Sequence, residues 1–176
     1  WSSDVCSSDL RGDVKTLEAG QKTDIYHEHA TDLQQQVNDF NKGIAIDGSA
    51  FEANETPFSY GMACYPEKHE EAPNMDSDIF YLKEKVKNGA DYLVTQMFFD
   101  NEKYYAFVDR CRAEGITVPI IPGIKPIVFK NQLTVLPKIF RSDIPEPFAT
   151  ELRKCKTDDE AKAVGVEWCI QQCKDL

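Results

Sequence analysis

The stretch "DYLVTQMFFDNEKYYAFVDRCRAEGITVPIIPGI" (residues 91–124) contains a complete structural beat. Residues 91–100 form a nearly continuous apolar run, the pattern of a strand buried on both faces. The next fifteen residues place Tyr104, Val108 and Cys111 four and three apart, the spacing of one helical face, and stop at Gly115. A second apolar run, "VPIIPGI" (118–124), follows at once. Strand, helix and strand with short joints predict parallel strands linked by a right-handed crossover.

The beat extends in both directions. Upstream, "FSYGMACYP" (58–66) reads as a strand and "MDSDIFYLKEKVKNG" (75–89) as a helix. That helix has Ile79, Leu82 and Val86 inward, acids in its first turn and Gly89 as its stop. Farther up, "HATDLQQQVNDF" (29–40) puts Ala30, Leu33, Val37 and Phe40 on one stripe. Downstream, "KNQLTVLPKIF" (130–140) supplies Leu133, Leu136 and Phe140, with Pro137 expected to break or kink it. The final helix, "TDDEAKAVGVEWCIQQC" (157–173), opens on a Thr157–Glu160 capping box and buries Ala161, Val164 and Trp168. Two architectures accommodate this order, a (β/α)8 barrel and an open doubly wound sheet. No glycine-rich phosphate loop follows any strand, which weakens the open sheet. A full barrel takes ~250 residues. The expectation is therefore a partial (β/α)8 TIM barrel, parallel strands alternating with helices.

Composition narrows the function. Thirty acidic residues against twenty basic ones give a net charge of −10. That charge disfavours nucleic acid and anionic membranes as partners. No apolar run approaches the ~20 residues of a membrane span, and the first residues show no basic-then-apolar pattern, so no signal segment is expected. Cys6, Cys64, Cys111, Cys155, Cys169 and Cys173 include no CxxC pair. Reduced, buried thiols in a cytoplasmic protein are expected. The adhesive reading of Arg11-Gly12-Asp13 then loses its extracellular setting. His27, His29 and His69, with Glu28, Glu70 and Glu71, show no metal-ligand spacing, so no metal is expected.

In a barrel, functional groups gather where strands end. The first strand exits into Tyr65, Glu67 and His69, the second carries the lone amide Gln96, and the third ends at Gly123. A buried amide needs a partner, and glycine permits close backbone approach. The pattern suggests a small-molecule site; a capped loop, a core amide and a turn glycine would look the same.

Three segments read together resemble methylenetetrahydrofolate reductases: "LRGD" (10–13), "YPEKHEEA" (65–72) continuing into "DIFYLKEKVKNGADYLVTQMFFD" (78–100), and "RCRAEGITVPIIPGIKPI" (110–127). The resemblance implies the central and C-terminal part of an FAD-dependent barrel over residues 10–176, without counterparts of the family's first three strands and its last. Trp1 to Asp9 resemble translated sequencing-adapter sequence and are set aside as non-native. By resemblance, Arg11 and Gly12 contact FAD, and Asp13 lies near both flavin and folate. His29 and Ala30 match a cofactor-touching pair in which tyrosine is usual at the first position. Tyr65, His69, Asp78 and Lys85 match further FAD positions, Lys85 as counter-charge to the diphosphate. Gln96, Gln132 and Leu136 match substrate-side positions. Glu84 and Tyr81 depart from the family pattern at the adenosine end.

The implied reaction reduces 5,10-methylenetetrahydrofolate to 5-methyltetrahydrofolate with NADH or NADPH, in a cytoplasmic homo-oligomer. The family's general acid, a glutamate near the first strand, has no counterpart here, so the chain by itself is expected to be inactive. Two other readings stay open from the pattern: another (β/α)8 enzyme such as a phosphate-site isomerase or a decarboxylase, and a barrel fragment without activity.

Overall fold

The computed structural model describes residues 29–53 and 55–176. Among them lie α1 (Ala30–Asn41), β1 (Gly61–Cys64), α2 (Met75–Lys87), β2 (Tyr92–Thr95), α3 (Asn101–Ala113) and β3 (Ile120–Ile121), followed by α4 (Gln132–Phe140), α5 (Glu146–Lys154) and α6 (Asp158–Asp175). The strands are parallel and adjacent in chain order, β1-β2-β3. Gly61 to Cys64 pair with Tyr92 to Thr95, and Leu93 and Val94 pair with Ile120 and Ile121. Sequential parallel strands joined through helices form a segment of (β/α)8 barrel wall.

Local chemistry sets the helix ends. The side chain of Asn74 accepts from the Ser77 N–H at 2.9 Å to start α2, and Asp100 accepts from the Glu102 N–H to start α3. Acids in each first turn and bases in each last turn oppose the helix dipole. Gly89 (φ 108°) and Gly115 (φ 82°) then turn the chain out of α2 and α3, a conformation that costs glycine little.

Two cores result. In the first, Met62, Cys64, Leu93 and Ile120 pack under Ala30, Ile79, Leu82, Phe107 and Cys111. In the second, Phe99 and Ile127 meet Leu136, Phe148, Leu152 and Ala161 of α4–α6, with Trp168 alongside. The opposite face of the sheet is thinly covered: Ala63, Tyr92 and Val94 are half-buried, and Ile121 is 45% exposed.

The strands are shorter than the apolar runs. Residues 97–99 leave the ladder, and side chains take over their carbonyls. Ser142 Oγ donates to Met97 O (2.8 Å), Gln172 Nε2 to Phe98 O (2.9 Å) and Trp168 Nε1 to Phe99 O (3.1 Å). The third strand is trimmed to two residues because Pro119 and Pro122 bracket it and lack the N–H a ladder needs.

Pro137 sits inside α4 without ending it; the helix stops at Arg141 in the left-handed region (φ 57°). On α1 the buried positions are Ala30 and Gln34, whereas Leu33, Val37 and Phe40 are only half-buried. Gln34 belongs inside because its Nε2 donates to Lys85 O (2.7 Å) and Tyr60 Oη (3.2 Å).

The capping box of α6 is displaced by one residue. Thr157 Oγ1 accepts from the Glu160 N–H, but the Glu160 carboxylate accepts from Lys156 N–H. Helix α5 escaped the sequence reading, although Pro147 in its first turn and the Phe148–Leu152 spacing mark it.

Candidate functional site

The C-terminal ends of β1 and β2 build the candidate site. After Cys64 the chain buries Tyr65, whose ring meets His69 edge-on with centroids 4.6 Å apart. The loop between them is tightly braced. His69 N–H donates to Asp78 Oδ2 at 2.7 Å, and Glu71 N–H donates to His69 Nδ1 at 3.2 Å. An acceptor Nδ1 leaves the ring hydrogen on Nε2. Lys68 holds a left-handed backbone (φ 84°), uncommon for a residue with a side chain. Its ammonium donates to His69 O (3.0 Å) and Ala72 O (2.5 Å), offsetting that strain.

Glu67 turns under this loop, its side chain only 12% exposed. It accepts from Lys103 Nζ and, through both oxygens, from the Asp143 N–H at 3.2 and 3.0 Å. Burial raises its pKa, and the hydrogen bond and charge of Lys103 oppose the rise. Lys103 also reaches Asp143 Oδ2 at 2.5 Å. Burial works against its charge, but the bonds to Asp143 and Glu67 outweigh it and raise its pKa.

Gln96 follows β2, and its backbone N–H donates to Cys64 O (2.8 Å). Its Oε1 accepts from Met97 N–H at 3.0 Å, and no described residue accepts from its Nε2. Tyr65, Glu67, Lys68, Met97, Phe140 and Ser142 share a small crevice with it. At the third strand end, Gly123 N–H donates to Thr95 Oγ1 (2.8 Å). A Cβ on Gly123 would lie 2.1 Å from Thr95 O, so its close approach is to β2 itself.

The structure therefore brings Tyr65, His69, Asp78 and Gln96 to one face. Lys85 joins from α2, its Nζ donating to Ala63 O at 3.1 Å. Ala30 is buried in the first core; His29 is exposed and starts α1, its N–H donating to Asp32 Oδ2. Gln132 serves the chain itself, accepting from the N–H groups of Val128 (2.7 Å) and Phe129 (3.0 Å). Leu136 is buried in the second core. Arg11, Gly12 and Asp13 lie outside the described residues. Lys103, Ser142 and Asp143 were not identified from the sequence; they lie 36, 75 and 76 residues from Glu67 or beyond any local pattern. Among the described residues no group of three His, Cys, Asp or Glu side chains could hold a metal ion. No described helix is long and apolar enough to cross a membrane.

An aromatic pair, an amide donor without a partner among the described residues and a thinly covered apolar sheet face suit a planar, hydrogen-bonding ligand. The family model described as methylenetetrahydrofolate reductase matches residues 9–176. A probable methylenetetrahydrofolate reductase (NADPH) from Caenorhabditis elegans is 42% identical over 120 residues, 68% of this chain and 18% of that protein. The 5,10-methylenetetrahydrofolate reductase of Pectobacterium carotovorum is 33% identical over 168 residues, 95% of this chain and 50% of that protein. The chain thus spans half of this bacterial relative and under a fifth of the nematode one. A solved structure of an uncharacterized protein from Clostridium thermocellum that binds two copies of 5-methyl-5,6,7,8-tetrahydrofolic acid is 19% identical. It covers 68% of this chain and 42% of its own, with a TM-score of 0.48.

Proposed function

The chain belongs to the methylenetetrahydrofolate reductase family, and from that premise we propose that the full-length protein carrying it is an FAD-dependent oxidoreductase. It reduces 5,10-methylenetetrahydrofolate to 5-methyltetrahydrofolate with NADH or NADPH. The observation that carries this reading is the family match over residues 9–176, and the convergence of Tyr65, His69 and Gln96 at the strand ends supports it. Bound FAD would supply the hydride relay between the two substrates.

The residues present fit such a ligand. Tyr65 and His69 offer an aromatic corner that Asp78 holds in place through the His69 N–H. Gln96 holds its Oε1 on Met97 N–H and turns its Nε2 to the folate as a hydrogen-bond donor. Lys85, whose Nζ now donates to Ala63 O, would supply positive charge for the diphosphate. Gln132 keeps its Nε2 for substrate while its Oε1 braces residues 128–129, and Leu136 seats α4. Arg11, Gly12, Asp13, His29 and Ala30 complete the cofactor contacts in this reading. The protein is a cytoplasmic homo-oligomer in the same reading.

Anaerobic stopped-flow on the full-length, flavin-loaded protein tests the proposal. NADH or NADPH should bleach the flavin, and methylenetetrahydrofolate should restore it with formation of 5-methyltetrahydrofolate. A flavin that nicotinamide nucleotides reduce but the folate cannot reoxidise would overturn the assignment.

A further inference from the structure

We propose that Lys103 is a positioning residue, a latch that joins the loop after β1 to the turn between α4 and α5 and thereby fixes the strand-end face for its ligand. The proposal rests on reading that face as the flavin and folate site.

The geometry is a closed circuit. The loop after β1 carries Tyr65 and His69 and sends Glu67 inward. The turn after α4 carries Ser142, which holds Met97 O beside Gln96, and Asp143, whose N–H donates to Glu67. Lys103, on α3, bonds both carboxylates at once. Three segments distant in sequence are tied at one ammonium, within one bond of the residues that face the ligand.

Neighbouring charges are committed elsewhere. Arg110 pairs with Asp76, Arg141 lies 3.9 Å from Glu70, and Lys68 serves the carbonyls of His69 and Ala72. Among the described residues Lys103 is therefore the cation bonded to Glu67. A buried carboxylate that loses its counter-charge is costly, and it responds by holding a proton to higher pH. Without Lys103, the circuit should close when Glu67 is protonated and loosen when it ionises.

Three variants of the full-length protein test this: Lys103→Met, Lys103→Arg and Glu67→Gln/Lys103→Met. Hydrogen exchange at the amides of Lys68, His69, Ala72 and Asp143 reads the latch without reference to activity. In Lys103→Met, exchange should rise by about tenfold in both segments, the scale of a lost charge-assisted bond. The KM for folate should rise with pH while kcat changes less. Lys103→Arg should restore protection, and the double variant should remove the added pH dependence because the buried carboxylate is gone and the Asp143 side chain that remains is largely in water. Unchanged exchange in Lys103→Met, or loosening of one segment alone, overturns the latch. If the exchange pattern holds but the unaltered protein does not reduce methylenetetrahydrofolate, the reading of the site fails and the latch stands.

Discussion

Gln96 is the residue on which the proposed chemistry can be tested most directly, because its carbonyl oxygen is committed to Met97 N–H and its amide nitrogen is not committed within the described residues. Replacing it with alanine should cost about 1–3 kcal/mol in the folate half-reaction, the range for a lost reading hydrogen bond. Flavin reduction by the nicotinamide nucleotide should change less. Stopped-flow separates the two, and equal slowing of both would remove Gln96 from the folate site. Lys85→Ala should weaken FAD retention, with the difference from the unaltered protein shrinking as salt screens the charge. An FAD dissociation constant that ignores both substitution and salt would return Lys85 to a purely structural bond with Ala63. Thiol chemistry gives a third residue-level expectation. Burial pushes the Cys111 thiol up to about 11, and Cys64, Cys111 and Cys155 are buried. At neutral pH a thiol reagent should label Cys173, which is exposed, and spare those three until the protein unfolds. Mass spectrometry of the native protein would show an error if Cys111 were modified first. At this scale the sequence was a partial guide. A lone amide in an apolar run and an aromatic residue at a strand exit are local signals, so the placement of Gln96 and Tyr65 at the strand ends was legible. The partners of Glu67 come from α3 and the α4–α5 turn, and no spacing rule links residues that meet only after folding.

Helix α6 shows how an element is fixed by backbone approach as much as by side-chain burial. Gly165 faces Ile127 so closely that a Cβ would lie 1.8 Å from the Ile127 carbonyl oxygen and 2.8 Å from its carbon. In an isolated helix, replacing glycine by alanine stabilises by about 1 kcal/mol. Here the sign should reverse, since backbone cannot step aside as a flexible side chain can. Gly165→Ala should lose about 1–3 kcal/mol, the usual cost of overpacking, and should loosen the bonds from Trp168 and Gln172 to Phe99 O and Phe98 O. Urea unfolding with tryptophan fluorescence measures both effects, and a gain in stability would refute the close packing. The same helix explains where the sequence reading was sound and where it stopped. Apolar spacing of three and four marked α2, α3 and α6, because those periods follow from helix geometry alone. The ends of the strands were overextended because an apolar run cannot show whether a carbonyl meets a neighbouring strand or a side chain. Residues 97–99 chose the side chains of Ser142, Gln172 and Trp168. Gln34 misled the reading of α1 for a related reason, a polar residue buried by its bonds to Tyr60 and Lys85.

At the scale of the whole molecule, the described helices cover one face of the three-stranded sheet, and among the described residues the other face is thinly covered. Met62, Cys64, Leu93 and Ile120 are sealed under α1–α3, whereas Ile121 is 45% exposed on the opposite side. Phe129 (53%), Ile139 (56%) and Phe140 (36%) add exposed apolar surface around α4. In a closed barrel, strand edges pair and the interior face meets other side chains. In the isolated 176-residue chain the described strands offer that face to water and to other copies. Unpaired apolar strands associate edge to edge, and among the described strands the two edges, β1 (Gly61–Cys64) and β3 (Ile120–Ile121), carry no charge. The net charge of −10 opposes association at low ionic strength, but salt screens it within about 10 Å at 0.1 M. The isolated chain is therefore expected to self-associate, more so as salt increases, to bind a hydrophobic dye, and to retain FAD weakly or not at all. Size-exclusion chromatography across ionic strength, with dye fluorescence and a flavin spectrum on each fraction, measures all three. A monomeric, dye-silent, yellow protein at high salt would mean that the exposed face is covered in solution and that the strand ends hold the flavin without the rest of a barrel.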